Sequence, residues 1–253
     1  MLFTADIGNT NITIGIFDEN NLVDVKRIET FTGFSVFDFE QKLEEILKGQ
    51  AFEKGIICSV VDEITDKFKQ ACDKVLGLNT ILLRYNMDLG LVLKEKTAST
   101  IGADRLANAV AALSYNLPVI VVDVGTAVTF DIVDENKKFL GGIIMPGVNI
   151  GLKGLADYTS KLPEIVPEES PYAIGDSTKT CILSGVIRGT ACAIEGLINQ
   201  CENELGQKAT VVLTGGQCKL ISKYMTRQAD YINSDLTLIG LKNIIQNRVL
   251  NTV

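Results

Sequence analysis

Apolar positions along the chain fall into short alternating runs separated by stretches with helical spacing. Residues 2–8 form an apolar run that reaches an Asp-Ile-Gly turn. Residues 11–17, Asn-Ile-Thr-Ile-Gly-Ile-Phe, alternate with the period of two that marks a half-buried strand, and Asp18-Glu19-Asn20-Asn21 reads as a turn. Phe39, Leu43, Ile46 and Leu47 predict an amphipathic helix over 36–48, stopped by Gly49. A buried strand from Gly55 to Val61 follows, then a helix carrying Phe68, Ala71, Cys72, Val75 and Leu76 that ends at Gly77. Helical spacing returns over 103–115, before the continuous apolar run Val119–Val122. Further on, Gly141–Gly147 reads as a strand breaking into a turn, followed by a helix through Tyr158. A long helix is expected over 180–200, and a strand at 209–213 runs into Thr214-Gly215-Gly216 and another helix. Gly185, Gly189 and Ala193 recur every fourth position on that long helix. Glycine weakens a helix by roughly 1 kcal/mol relative to alanine, so the expectation is close backbone approach along that face.

The opening pattern returns once. Asp6-Ile7-Gly8-Asn9-Thr10 is echoed by Asp123-Val124-Gly125-Thr126-Ala127. Each follows an apolar strand and precedes an alternating strand that ends in Asp-Glu-Asn, at 18–20 and 134–136. A single repeat of this length indicates a duplicated domain rather than a solenoid. The expected halves are 1–116 and 117–253, two α/β lobes that would face each other across a cleft, a usual place for a ligand.

Composition narrows the chemistry. The net charge of −7 disfavours a nucleic-acid partner but not a nucleotide, whose phosphates can be held by backbone N–H groups and a bridging metal. The absence of histidine excludes Ser-His-Asp triads and histidine bases or metal ligands. The six cysteines show no CxxC spacing and read as reduced, buried small hydrophobes. No apolar run reaches the ~18 residues of a membrane span, and the opening residues lack a basic leader, so a cytoplasmic location is expected.

An aspartate at a strand end, followed one residue later by glycine and then by small polar residues, suits phosphate and metal binding. One copy also makes an ordinary hairpin turn; two copies at matching places, with a distal Thr-Gly-Gly, make the functional reading the stronger one. Neither a Walker A loop nor Gly-x-Gly-x-x-Gly is present. The series resembles the phosphate-1, phosphate-2 and adenosine motifs of the actin/hexokinase/Hsp70 ATPases. It looks in particular like the type III pantothenate kinases. Asp6-x-Gly8-Asn9-Thr10 with Gly15 and Phe17, Gly102-Ala103-Asp104-Arg105, Asp123-x-Gly125-Thr126-Ala127 and Gly142-x-Ile144-x-Pro146-Gly147 occur in order. Thr159-x-x-Leu162-Pro163, Gly175-x-Ser177-Thr178 and Thr214-Gly215-Gly216 complete the series.

The resemblance implies an α/β fold of two duplicated ribonuclease H-like, actin-like ATPase lobes with mixed sheets flanked by helices. It implies ATP-dependent phosphorylation of pantothenate to 4'-phosphopantothenate, the first step of coenzyme A biosynthesis. By this mapping Asp6, Ile7, Gly8, Asn9, Thr10, Asn11, Ile12 and Thr13 would cradle ATP phosphates, with Asp6 near Mg²⁺ and Thr126 contacting ATP. Asp104 would be the base, and Gly102, Ala103, Asp104, Arg105 and Thr178 would bind pantothenate. Thr178 also reads as an N-cap for the helix that follows. Asp123 would hold the K⁺ or NH₄⁺ that such kinases require, and a homodimer would form the substrate pocket at its interface. No nucleic acid or membrane partner is implied. One departure stands out: the stretch Lys94–Thr100 lacks the family's Asn-Pro pair, and Glu95 takes the place of its tyrosine. The alternatives are another small-molecule kinase of the superfamily, or a non-catalytic transcriptional accessory factor.

Overall fold

The alternation in residues 2–29 builds one continuous meander. In the computed structural model, which describes residues 1–250 and side chains as far as Asn247, β1 (Leu2–Ile7) pairs antiparallel with β2 (Asn11–Asp18). β2 pairs in the same sense with β3 (Asn21–Glu29). β4 (Lys54–Ser59) then joins the free side of β1 in parallel, and β5 (Ile81–Leu82) extends the sheet, giving the order β3-β2-β1-β4-β5. The parallel step needs a crossover, and α1 (Val36–Ile46) supplies it. The Ser35 hydroxyl accepts from the Asp38 N–H while the Asp38 carboxylate accepts from the Ser35 N–H, a capping box that fixes where α1 starts. α2 (Asp62–Leu76) ends at Gly77, whose φ of +66° is the left-handed conformation that closes a helix without side-chain strain.

Strand alternation sorts β1 and β4 into two faces. Phe3, Ala5, Ile7 and Ile57 join Phe39, Leu43 and Phe68 in the core beneath α1 and α2. Leu2, Ile56 and Cys58 face the other way, into a second core with Leu106 and Val110 of α3 (Ala103–Ala112). Asp6 has the parity of Leu2, which puts it on the α3 side of the sheet.

The second sheet repeats the first strand for strand. β6 (Val119–Val124) is central; β7 (Ala127–Val133) and β8 (Phe139–Pro146) form its antiparallel meander. β9 (Thr210–Thr214) and β10 (Tyr231–Ile232) add in parallel on the other side, in the order β10-β9-β6-β7-β8. Its core joins Ile120, Val122, Val124 and Phe130 to Val148 and Leu152 of α4 (Val148–Asp157). α5 (Thr178–Leu183) adds Ile182, α6 (Gly189–Leu205) adds Ala191, Ile194 and Ile198, the turn that joins them adds Ile187, and α7 (Cys218–Ser222) adds Ile221. Between α5 and α6 lies a π-helical turn, Ser184–Arg188.

The helix expected at 180–200 therefore runs from Thr178 to Leu205, and by length and hydropathy alone it is apolar enough to cross a membrane. The core residues just named account for part of that apolarity. The close backbone approach expected at Gly185 and Gly189 is not made within the chain: no described atom lies within 4 Å of where a side chain would begin at either position.

The chain divides into two units, but not at 116/117. The first comprises Met1–Ala111 and Leu236–Val253, the second Ala112–Asp235. The difference is α8 (Leu236–Leu250), which packs on β1, β4 and β2 and buries Leu238, Leu241, Ile244 and Ile245 in the α3 core. Gly240 makes this possible, because a side chain there would collide with the Ala107 carbonyl of α3. The cysteine expectation also needs correction. All six are free thiols, but only Cys58, Cys72 and Cys218 are buried; Cys181 and Cys192 are exposed and Cys201 is half-buried.

Candidate functional site

In the first unit the site residues gather where β1 and β4 end and α3 begins. The β1–β2 turn holds Gly8, Asn9 and Thr10, with the Gly8 N–H donating to the Asn11 carbonyl at 3.0 Å and the Thr30 hydroxyl donating to the Gly8 carbonyl at 2.7 Å. Asn9, Thr10 and Asn11 are exposed, so this turn offers polar groups to a ligand. Ile7 and Ile12 are wholly buried, so their side chains support the turn and only their backbone could meet phosphate. Asp6 stands in register with Thr13 on β2 and Cys58 on β4. The Cys58 thiol donates to Asp6 Oδ1 at 3.2 Å.

Asp104 occupies the first turn of α3, half-buried, and its Oδ1 accepts the Arg105 N–H at 2.7 Å. Burial pushes its carboxyl above the ordinary carboxylate value, against the opposing pull of the Arg105 N–H and charge. Gly102 gives the carboxylate room, because a methyl group there would sit 2.5 Å from Asp104 Oδ1. Ala103 and Arg105 are half-buried beside it. Cys58 also feels this cluster: burial, and then the charges of Asp6 and Asp104, push its thiol well above the usual range. Asp6, Asp104 and Cys58 are thus neighbours, although they come from three separate stretches of sequence. Sequence reasoning found the two aspartates and missed the cysteine.

In the second unit Asp123 takes the place of Asp6, in register with Thr129 on β7 and Thr214 on β9. Thr126 is exposed at the following turn, where the Gly125 N–H donates to the Ala127 carbonyl at 3.0 Å and the Gly147 N–H to the Thr126 carbonyl at 3.1 Å. The Thr-Gly-Gly segment folds back on the same strand end, with the Gln217 N–H donating to the Val124 carbonyl at 3.0 Å.

Thr178 lines a groove of about 1040 Å³ with Gly151, Leu155, Asp176, Cys181 and Val186. It is the first helical residue of α5, not its cap. Ser177 caps the helix, accepting from the Thr180 N–H, because the extended backbone a cap requires falls at Ser177. Thr178 itself is exposed.

Among the described residues no group of three or more Asp, Glu, Cys or His side chains could hold a metal. A single carboxylate such as Asp6 fits a Mg²⁺ that takes most of its ligands from phosphates and water.

The sequence model of the type III pantothenate kinases matches residues 2–200. The chain belongs to that family. A type III pantothenate kinase of Thermomicrobium roseum is 33% identical over 249 residues, covering 96% of each chain. Among solved structures, a conserved putative Baf family transcriptional activator from Campylobacter jejuni aligns with 98% of this chain and 99% of its own, at 21% identity and TM-score 0.63. The activator of 2-hydroxyisocaproyl-CoA dehydratase from Clostridium difficile, solved with ADPNP bound, aligns with 99% of this chain and 98% of its own, at 13% identity and TM-score 0.54. These two likenesses establish the fold, that of the duplicated actin-like ATPases. As a member of its family the protein is an ATP-dependent kinase that phosphorylates pantothenate, working with an ATP-associated divalent metal.

Proposed function

We propose that Asp104 is the general base of pantothenate phosphorylation, accepting the proton of the primary hydroxyl as that oxygen attacks the γ-phosphorus of ATP and the bond to the bridging oxygen breaks. The observation that carries this assignment is the half-buried carboxylate at the start of α3, raised above its ordinary range and without a histidine anywhere to compete for the role. A base whose proton affinity rises toward neutrality is better matched to an alcohol proton than a fully solvated carboxylate. Arg105 supplies a cation for the substrate carboxylate, and Gly102 and Ala103 leave room beside it. The turn at Gly8–Asn11 binds ATP phosphates through backbone and amide groups, with Thr126 as a further ATP contact. A Mg²⁺ associated with the phosphates, oriented by Asp6, would neutralise charge on the transferring group.

Two finer assignments accompany this one. Asp123 binds a monovalent cation; a half-buried carboxylate at a strand end is costly unless a cation or donors compensate it. The functional form is a homodimer in which Thr178 contributes to pantothenate binding. Exposed Tyr158, Val166, Tyr172 and Ile174, which lie close in sequence to the groove-lining Leu155, Leu162 and Gly175, and the open face at Gly185 and Gly189 support a second copy as their cover. A cytoplasmic location accords with the Thr178–Leu205 helix burying Ile182, Leu183, Ile187, Ala191, Ile194 and Ile198 in a protein core. A transcriptional role finds no support in a chain of net charge −7. Release of ADP from ATP, Mg²⁺ and K⁺ that depends on added pantothenate tests the central proposal; Asp104→Asn turning over at the wild-type rate refutes it.

A further inference from the structure

We propose that Cys58 is a positioning residue, its thiol holding the Asp6 carboxylate in the orientation that meets the ATP-associated metal. This rests on the reading of Asp6 as a nucleotide-site residue. Cys58 lies at the same level as Asp6 on the adjoining parallel strand, is fully buried, and donates to Oδ1 at 3.2 Å. The thiol belongs to β4, which is locked between β1 and β5, so it is a fixed donor rather than a mobile one.

The second unit supplies an internal comparison. There the equivalent aspartate, Asp123, has Thr214 at the matching position of the matching strand, buried and in register. On the other side both aspartates face a threonine, Thr13 and Thr129. The duplicated fold has thus kept a hydrogen-bonding side chain at this place twice, as a thiol in one unit and a hydroxyl in the other. A residue serving only to fill the core would more economically be aliphatic, as at Ile56 and Ile57 of β4 and Val211, Val212 and Leu213 of β9. A thiol is a weak donor, so its effect is to select one carboxylate rotamer without drawing the negative charge away from the metal.

The test uses two isosteric substitutions. Cys58→Thr keeps a donor and Cys58→Val removes it at the same volume and shape. Affinity for MgADP, read by calorimetry, is expected to stay within about twofold of wild type for Thr and to fall about five- to tenfold for Val, the net size of one ordinary hydrogen bond. In turnover, KM for MgATP and the Mg²⁺ needed for half-maximal rate rise together in Val, while KM for pantothenate does not move. Val and Thr variants with equal MgADP affinity overturn the proposal. If either bulkier side chain prevents folding, Cys58→Ser and Cys58→Ala form the same comparison, with equal affinities again decisive. Wild-type protein that binds no MgADP would overturn the nucleotide-site reading itself, a result distinguishable from equal behaviour of the pair.

Discussion

Gly215 is seated against Asp123 so closely that a methyl group added to it would overlap the Oδ1 atom and press on the Val124 backbone. Its φ of +87° is likewise one that side chains resist. Gly215→Ala is therefore expected to displace the Asp123 carboxylate, reducing kcat at least tenfold. The strained backbone alone costs about 1–3 kcal/mol, so thermal unfolding will shift downward as well. A Gly215→Ala enzyme with unaltered turnover would show that this contact has no part in catalysis.

Asp123 itself is expected to confer dependence on K⁺ or NH₄⁺, with little activation by Na⁺. Rates measured in each chloride salt at fixed ionic strength, fixed Mg²⁺ and saturating ATP check this. The preference should vanish in Asp123→Ala. Equal rates in Na⁺ and K⁺ would remove the cation assignment and leave the kinase untouched.

Asp104→Asn is nearly isosteric and should fold, retain pantothenate binding and lose about 10²- to 10⁴-fold in kcat. The pH profile carries a second signature. The base must be ionised to act, so activity falls as pH drops through its pKa, and burial places that limb above the ordinary 3.8 despite the Arg105 N–H and charge. A wild-type acid limb centred at or below 3.8 would contradict the buried-base picture.

Sedimentation in dilute solution is expected to show a dimer. Gly189→Leu inserts a bulky group into a face that none of the described residues outside its own helix covers, and it should shift the equilibrium toward monomer with loss of activity. An active wild-type monomer would exclude the interface.

Glu202 offers a stability test away from the site. Its buried carboxylate accepts two hydrogen bonds from Arg227, at 2.7 and 2.8 Å, one from Lys208 at 2.7 Å and one from the Ala209 N–H at 3.1 Å. Arg227, Lys208 and that N–H hold its pKa at about 2, against an ordinary 4.5. A depressed pKa contributes stability that is complete above the unfolded value and lost as pH falls from 4.5 through about 2. The size is on the order of 3 kcal/mol. Glu202→Gln should therefore lower the unfolding temperature at pH 7, and the gap from wild type should narrow toward pH 2. A gap independent of pH would mean that ionisation is not what Glu202 contributes.

Much of this was legible before any coordinates. The paired Asp-x-Gly turns announced the duplication because each sits between an apolar run and an alternating one, a local pattern. β3 escaped notice because Asp24, Lys26, Arg27 and Glu29 break up its apolar alternation. α8 escaped because its apolar residues, Leu236, Leu238, Ile239, Leu241, Ile244 and Ile245, do not form one clean stripe. Cys58 could not have been found at all by local pattern. One cysteine in an apolar strand reads as filler, and its partner Asp6 is 52 residues away in sequence, brought alongside only by parallel register.

The return of α8 to the first unit has a consequence for the order of events during synthesis. The second unit is one uninterrupted stretch, Ala112–Asp235, and can close its core while translation continues. The first unit cannot. Leu2, Ile56 and Leu106 emerge early, yet the side chains that cover them, Leu238, Leu241 and Ile244, leave the ribosome only after the whole second unit has passed. The half that is begun first is finished last, and for that interval its bare apolar face is the surface a chaperone would have to guard.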